Sequence, residues 1–347
     1  MTAQLTPAAG NDKASRPLVE VENLAVKFVT REATVRAVNG VSFAMAPGEV
    51  LCIIGESGSG KSVTLRALMR LLPKRWAQLS GSIRVGDHDI RVLTDRQLTE
   101  VRGSTVAMIF QEPMTALDPV YTIGDQIAET VVRHEGCSHR AAIERALDLL
   151  RLVKIPSPER RLKAYPHELS GGLRQRAMIA LALSCRPSLL LADEPTTALD
   201  ATVQIQVLIL LRKLQKELGM GVIFVTHDLG VAAQIADRVA VMYAGRIVEL
   251  GSVRDVLINP SHPYTMGMLA STIHGGRPRE AEIEAIPGSP PDLRRLPPGC
   301  SFAPRCRHAE PDCTLSVPMP TGIGPGHISC CFKAGRLTRA KTPNVIA

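Results

Sequence analysis

Aromatic residues are scarce in this chain: one Trp, four Tyr and six Phe amount to 3% of 347 residues. So few rings cannot build the stacking platforms of a single-strand nucleic-acid binder, and no nucleic-acid partner is expected. No stretch approaches the roughly 18 uninterrupted apolar residues that a membrane-crossing helix needs. The opening MTAQLTPAAGNDKASRP is polar and has no apolar h-region, so no signal peptide is read there. A cytosolic protein that meets any membrane only at its surface is therefore expected. Internal repeats are missing too, so a nucleotide module, if there is one, is present once.

What is present suits a folded globular protein. Apolar residues make up 45% and charged residues 21%, enough for a sizeable core in one large domain with a smaller one beside it. The net charge of +8 fits ordinary solubility, an anionic ligand such as ATP, or an anionic membrane surface. Of the eight cysteines, Cys52, Cys137 and Cys185 lie in apolar or helical contexts and read as reduced thiols. The other five, Cys300, Cys306, Cys313, Cys330 and Cys331, crowd into the tail, where metal is a better reading than disulfides for a cytosolic chain.

Residues 1–17 read as a disordered leader. Alternation from Leu18 to Phe28 predicts a strand, and a second is expected at Ala37–Ala46 before the turn APGE at 46–49. The apolar run Val50–Ile54 predicts a buried parallel strand. Helical patterning spans Lys61–Leu72 and most of 115–186. Further buried strands at 188–192 and 221–226 flank a helix at Ala201–Leu218, which together predict a parallel α/β arrangement. Prolines and glycines become frequent near Asn259, and a domain boundary is expected at about 260.

The stretch GESGSGKS at 55–62 fits G-x-x-x-x-G-K-[ST] between a buried strand and a helix. Gly55, Gly58 and Gly60 allow tight turns and close approach to phosphate. The backbone through Glu56, Ser57, Ser59 and on to Val63 offers amides at a helix N-terminus, an anion cradle. Lys61 would neutralise the β- and γ-phosphates and Ser62 would ligate Mg²⁺. At 189–195, LLLADEP sets two carboxylates at the C-terminal end of an apolar strand, the edge where parallel sheets bind ligands. Asp193 is the candidate Mg²⁺ residue, and Glu194 the candidate base for an attacking water.

The stretch ELSGGLRQR at 168–176, shortly before that acidic strand, resembles the signature of ABC ATPases, with Leu173 at its fifth position in place of Gln. FQEP at 110–113 is similar to the family's Q-loop, ALD at 198–200 to its D-loop, and THD at 226–228 to its H-switch. The resemblance covers 18–260. It implies a P-loop NTPase of the ABC type: a RecA-like core, a helical subdomain at about 115–186 and an N-terminal antiparallel β region, followed by a small Cys-containing extension at 261–347. It implies roles for Gln111 in sensing Mg²⁺ and water, for His227 at the γ-phosphate, and for Ser170, Gly171, Gly172 and Asp200 in binding nucleotide, with Ser170 and Gly172 reaching ATP held by a second subunit. Phe28 is the candidate adenine-stacking ring.

NPSHPYTMGMLAS at 259–271 resembles the tail motif of ATPases from oligopeptide, dipeptide and nickel importers, and ADEPTTALD at 192–200 resembles the "D"-type member of their usual pair. The implied partners are two membrane permeases, a second ATPase subunit and an extracytoplasmic solute-binding protein. The implied place is the cytoplasmic face of the inner membrane, and the implied cargo is di- or oligopeptides, with nickel or another small solute as the alternative. The run Pro297–Cys313 and the ending Cys331-Phe332-Lys333 resemble the tail in which four cysteines hold a [4Fe–4S] cluster. Cys300, Cys306 and Cys313 are implied ligands, and the fourth is Cys331 or Cys330, with Cys331 favoured by that ending. Zinc suits a Cys₄ set as well, and unligated thiols are the plain reading. A non-transport ABC ATPase fits less well, because a repair protein's long coiled-coil insertion and a translation factor's second module are both missing. A metabolic P-loop kinase would have neither the signature nor His227.

Overall fold

A computed structural model describes residues 16–112, 116–197, 199–271 and 285–337. The expected leader falls almost wholly outside them. Strand β1 (Val19–Val29) and strand β2 (Thr34–Met45) pair antiparallel, as do β1 and β4 (Ala77–Val85), and β5 (His88–Asp89) completes a four-stranded sheet in the order β2-β1-β4-β5. The alternation that predicts β1 has its physical basis here. Val19, Val21, Leu24 and Val26 are buried, while residues between them face outward.

The second sheet is built around β3 (Val50–Ile54), whose five residues are all buried. It lies between β8 (Gly221–Thr226) and β9 (Arg238–Tyr243), parallel to both, and β7 (Leu189–Asp193) and β6 (Val106–Ile109) continue the parallel set. Strand β10 (Arg246–Ser252) turns back antiparallel on β9, and β12 (His327–Ser329) and β11 (Thr321–Gly324) follow it, so the order is β11-β12-β10-β9-β3-β8-β7-β6.

Both faces of the parallel set are covered, and the period of two divides its side chains between two cores. Val50, Cys52 and Ile54 join Leu190, Ala192, Val222 and Phe224 against the helices; Leu51 and Ile53 join Leu189, Leu191, Ile223 and Val225 against the antiparallel sheet. Total burial pushes the Cys52 thiol far up, which keeps it a reduced, inert part of this core. No helix among the described residues is long and apolar enough to cross a membrane.

The helix predicted over Lys61–Leu72 ends at Leu68, because Arg70 takes a left-handed conformation. Among the described residues between 115 and 186, the α-helices include Ile123–Glu135, His139–Leu152, Pro158–Arg161 and Gly171–Ala182. Thr122 and Ser138 cap the first two through side chains that accept amide hydrogen bonds, and Gly136 ends the first with a positive φ. Beyond residue 260, the helix Pro263–Ser271 and Phe302 pack into the same core as β3 and β8. The tail's β12 also pairs with β10, Leu250 opposite Ile328. The tail therefore rests directly on the nucleotide-fold core.

Candidate active site

Strand β3 delivers the chain to Gly55, whose place allows no side chain. A Cβ there would lie 2.1 Å from the Met242 carbonyl oxygen, and at Gly60, the residue before the helix Lys61–Leu68, 2.4 Å from that of Ala37. The loop is thus pressed onto β9 and β2, with its amides at a helix start. Lys61 Nζ lies 2.8 Å from the Gly55 oxygen and 3.0 Å from the Glu56 oxygen, to which it donates. Burial lowers its pKa, and the charges of Glu194 and Asp193 oppose that shift. Ser59 Oγ is buried with no hydrogen-bond partner. Ser57 and Gly58 are exposed at the loop's tip, and Val63 packs its side chain toward the second core.

Strands β7 and β8 end beside this loop. Ser62 Oγ donates to Asp193 Oδ1 at 2.7 Å, joining the predicted Mg²⁺ residues directly. The other oxygen, Oδ2, is buried without a hydrogen bond, and its nearest charge is Arg66 at 4.0 Å. Burial raises the Asp193 pKa, against the Ser62 hydrogen bond and the Arg66 charge. A buried carboxylate oxygen with no donor, next to a serine hydroxyl, fits a hard divalent cation. Arg66 is a site residue that motif reading missed; its place one turn after Ser62 is the signal that could have found it.

Glu194 has φ 46, a left-handed conformation rare for a non-glycine residue and common where a site over-determines the backbone. Its amide donates to the Val225 oxygen at 3.0 Å, and Oε2 lies 3.2 Å from His227 Nδ1 and accepts from Thr197 Oγ1 at 3.0 Å. The Glu194 side chain is 15% exposed and that of His227 58%, so the carboxylate is held while the imidazole opens to the cleft. Gln111 is exposed just past the end of β6, and residues 113–115 of its loop lie outside the described residues.

Ser170 stands at the N-cap of the helix Gly171–Ala182, but its hydroxyl makes no capping bond, which leaves it and the first-turn amides open. A Cβ at Gly172 would come within 2.7 Å of Val203 Cγ1, so the second signature glycine is required by packing. Asp200 caps the helix Ala201–Leu218 by accepting from the Val203 amide at 3.0 Å; Ala198, the first residue of the ALD stretch, lies outside the described residues. Phe28 is half-buried near the end of β1 and leans on the second core.

In the tail, Cys300, Cys306, Cys313 and Cys331 line one small pocket together with His262, Phe302 and Lys333. Cys330 is not part of its wall: its thiol points to the Ile247 oxygen at 3.4 Å, and burial raises its pKa to about 11. Burial also raises Cys300, Cys306 and Cys331, but backbone amides oppose this, those of Phe302 and Ala303 at Cys300, of His308 at Cys306 and of Lys333 at Cys331. Amides aimed at sulfur suit thiolates that bind metal. Among the described residues no three His, Cys, Asp or Glu side chains converge on one ion position.

A model of the ABC transporter family matches residues 38–197, and one of the oligopeptide/dipeptide transporter C-terminal region matches 248–313. A probable peptide ABC transporter ATP-binding protein of Sinorhizobium fredii is 50% identical over 92% of this chain and 96% of its own length. The chain belongs to the ATP-binding subunits of ABC transporters. Within that family, the oligopeptide transport ATP-binding protein OppD of Salmonella typhimurium is 48% identical over 91% of this chain and 93% of its own. Among solved structures, a dimeric ATP-binding cassette in a post-hydrolysis state with ADP and phosphate superposes with a TM-score of 0.61 at 30% identity, covering 68% of this chain and 99% of that one. This ABC ATPase therefore has the P-loop NTPase fold its motifs predict.

Proposed function

We propose that this chain binds ATP with the loop Gly55–Ser62 and hydrolyses it to drive import of di- or oligopeptides, working at the cytoplasmic face of the membrane with two permeases, a second ATPase subunit and an extracytoplasmic solute-binding protein. The observation that carries hydrolysis is Glu194 held against His227 at 3.2 Å, beside the Ser62–Asp193 pair. Relatives named for peptide transport, alike over nine-tenths of the chain, support the cargo.

Lys61 leaves the Gly55 and Glu56 carbonyls for the β- and γ-phosphates, while the loop amides take the remaining charge. Ser62, Asp193 and Gln111 would hold Mg²⁺, which supplies charge neutralisation at the phosphates when bound. Glu194 accepts the proton of the attacking water, and His227 fixes that carboxylate and faces the γ-phosphate. Ser170, Gly171 and Gly172 would complete the partner's site, and Asp200 shapes the turn between the two sites. Phe28 supplies a ring for adenine. The division into residues 18–260 and 261–347 assigns chemistry to the first and the thiol site to the second.

The thiol site fits a metal group held by Cys300, Cys306, Cys313 and Cys331. The four thiols that line one pocket, together with the likeness of the tail to the peptide-importer extension, are the support for a structural [4Fe–4S] cluster, with zinc as the alternative for the same Cys₄ set. Anaerobically purified Cys331→Ser should lose most of its iron and sulfide while Cys330→Ser keeps both; the reverse pattern, or stoichiometric zinc in the parent protein, overturns this assignment.

The transport reading is tested by uptake of a labelled tripeptide into cells carrying the whole transporter. Replacement of Lys61 by Ala should reduce uptake about 100-fold or more. Undiminished peptide uptake, or uptake of Ni²⁺ in place of peptide, would contradict it.

A further inference from the structure

The motif G-x-x-x-x-G-K-S leaves position 56 free, yet every polar group of Glu56 is engaged. Its amide donates to Tyr264 Oη at 2.8 Å. Its carbonyl oxygen accepts from Lys61 Nζ at 3.0 Å and from the Ser59 amide at 3.2 Å. Its carboxylate accepts two hydrogen bonds from Arg305, from Nη1 at 2.8 Å and Nη2 at 3.1 Å. Two of these partners, Tyr264 and Arg305, come from more than 200 residues away, in the tail.

The tail side of this contact is rigid. The Arg305 side chain is 7% exposed; Nε donates to the Pro287 oxygen at 2.8 Å and Nη1 also to Tyr243 Oη at 3.3 Å. Tyr243 and Tyr264 are fully buried with ring centres 4.5 Å apart, and Phe302 meets them edge-on at 5.3 and 5.4 Å. Burial disfavours the guanidinium's charge, and its hydrogen bonds to Glu56 and Tyr243 more than restore it. A buried, forked cation is a poor way to gain stability, since an apolar replacement of the whole pair is often as stable. It is a good way to fix geometry, because both bonds constrain the carboxylate's plane.

We propose that Arg305 is a positioning residue for ATP binding, bracing the phosphate loop through Glu56. The inference rests on the reading of residues 55–62 as the ATP loop. A Gly/Ser-rich loop loses conformational entropy at each residue it orders. A brace that orders it beforehand removes part of that cost from ATP binding, so its loss appears in affinity more than in turnover. The extension then has a part in the engine itself, one residue from Cys306.

The test is equilibrium titration of the full-length chain with a fluorescent ATP analogue (mant-ATP) and Mg²⁺. Arg305→Met should weaken binding about tenfold, Glu56→Gln by a similar factor, and the double variant no further than the worse single one. Arg305→Lys, which keeps the charge without the fork, should fall between. In the assembled transporter, Arg305→Met should raise the KM for ATP by the same factor and leave kcat within about threefold. Thermal melts report folding; if Arg305→Met does not fold, Arg305→Lys and Glu56→Gln decide. Wild-type binding that both variants share within about twofold, or additive losses in the double variant, overturns the brace alone. A wild-type chain that fails to bind mant-ATP removes the nucleotide reading and the brace with it.

Discussion

Gly55 shows how far a single residue is determined by its surroundings. Its φ of +154 and the Met242 carbonyl, 2.1 Å from where a Cβ would sit, leave no room for alanine without moving β9 or the loop. Gly55→Ala should weaken mant-ATP binding at least tenfold and cost about 2 kcal/mol or more of stability, read by titration and by denaturant melt. An alanine variant with wild-type affinity would show that the loop can shift freely. Asp193 illustrates a different constraint. Its Oδ2 is left buried without a donor, a cost that binding of a cation would relieve. The places of Lys61, Ser62, Asp193 and Glu194 side by side were legible as motif positions because phosphate chemistry dictates residue type at fixed spacing. Arg305 was not, because its contact with Glu56 depends on which distant elements fold together.

Among the elements, β3, β7 and β8 were legible to within a residue, since a strand covered on both faces is a short apolar run bounded by turns. Strands β4, β6, β9 and β10 were harder. β4 and β10 mix polar and apolar types, and β6, though wholly apolar, is a run of only four residues, so pairing with β1, β9 and β7 identifies them. The junction of β3 with the helix Ala201–Leu218 depends on Asp237. Its carboxylate accepts the Val50 amide at 2.8 Å and two Arg212 hydrogen bonds at 2.5 and 3.1 Å. Burial alone would raise its pKa, but the Arg212 and Val50 hydrogen bonds outweigh it and hold the carboxyl below its ordinary value. A depressed folded pKa contributes stability that is fully present above the unfolded value near 4 and is lost as pH falls through the folded one. Asp237→Asn should therefore cost about 1 kcal/mol at pH 7, a modest figure because solvent screens the half-exposed pair. The difference from wild type should shrink below about pH 4. A deficit unchanged at low pH would assign the effect to packing.

For the whole molecule, the parallel sheet brings the phosphate loop, the acidic pair and His227 to one edge, as the order of motifs implies. The tail's place was less legible: a change of composition near residue 260 marks where the apolar pattern thins, whereas β12 on β10 and Phe302 against Tyr243 and Tyr264 return the chain to the main core. A chain of this family that carries its own base, phosphate loop and signature should hydrolyse ATP through Glu194 once a partner completes the site. The direct measurement is MgATP binding and hydrolysis, side by side, for wild type and Glu194→Gln in the assembled transporter. The account predicts hydrolysis lowered about 10²–10⁴-fold with affinity within about threefold of wild type; near-normal turnover by Glu194→Gln would contradict it.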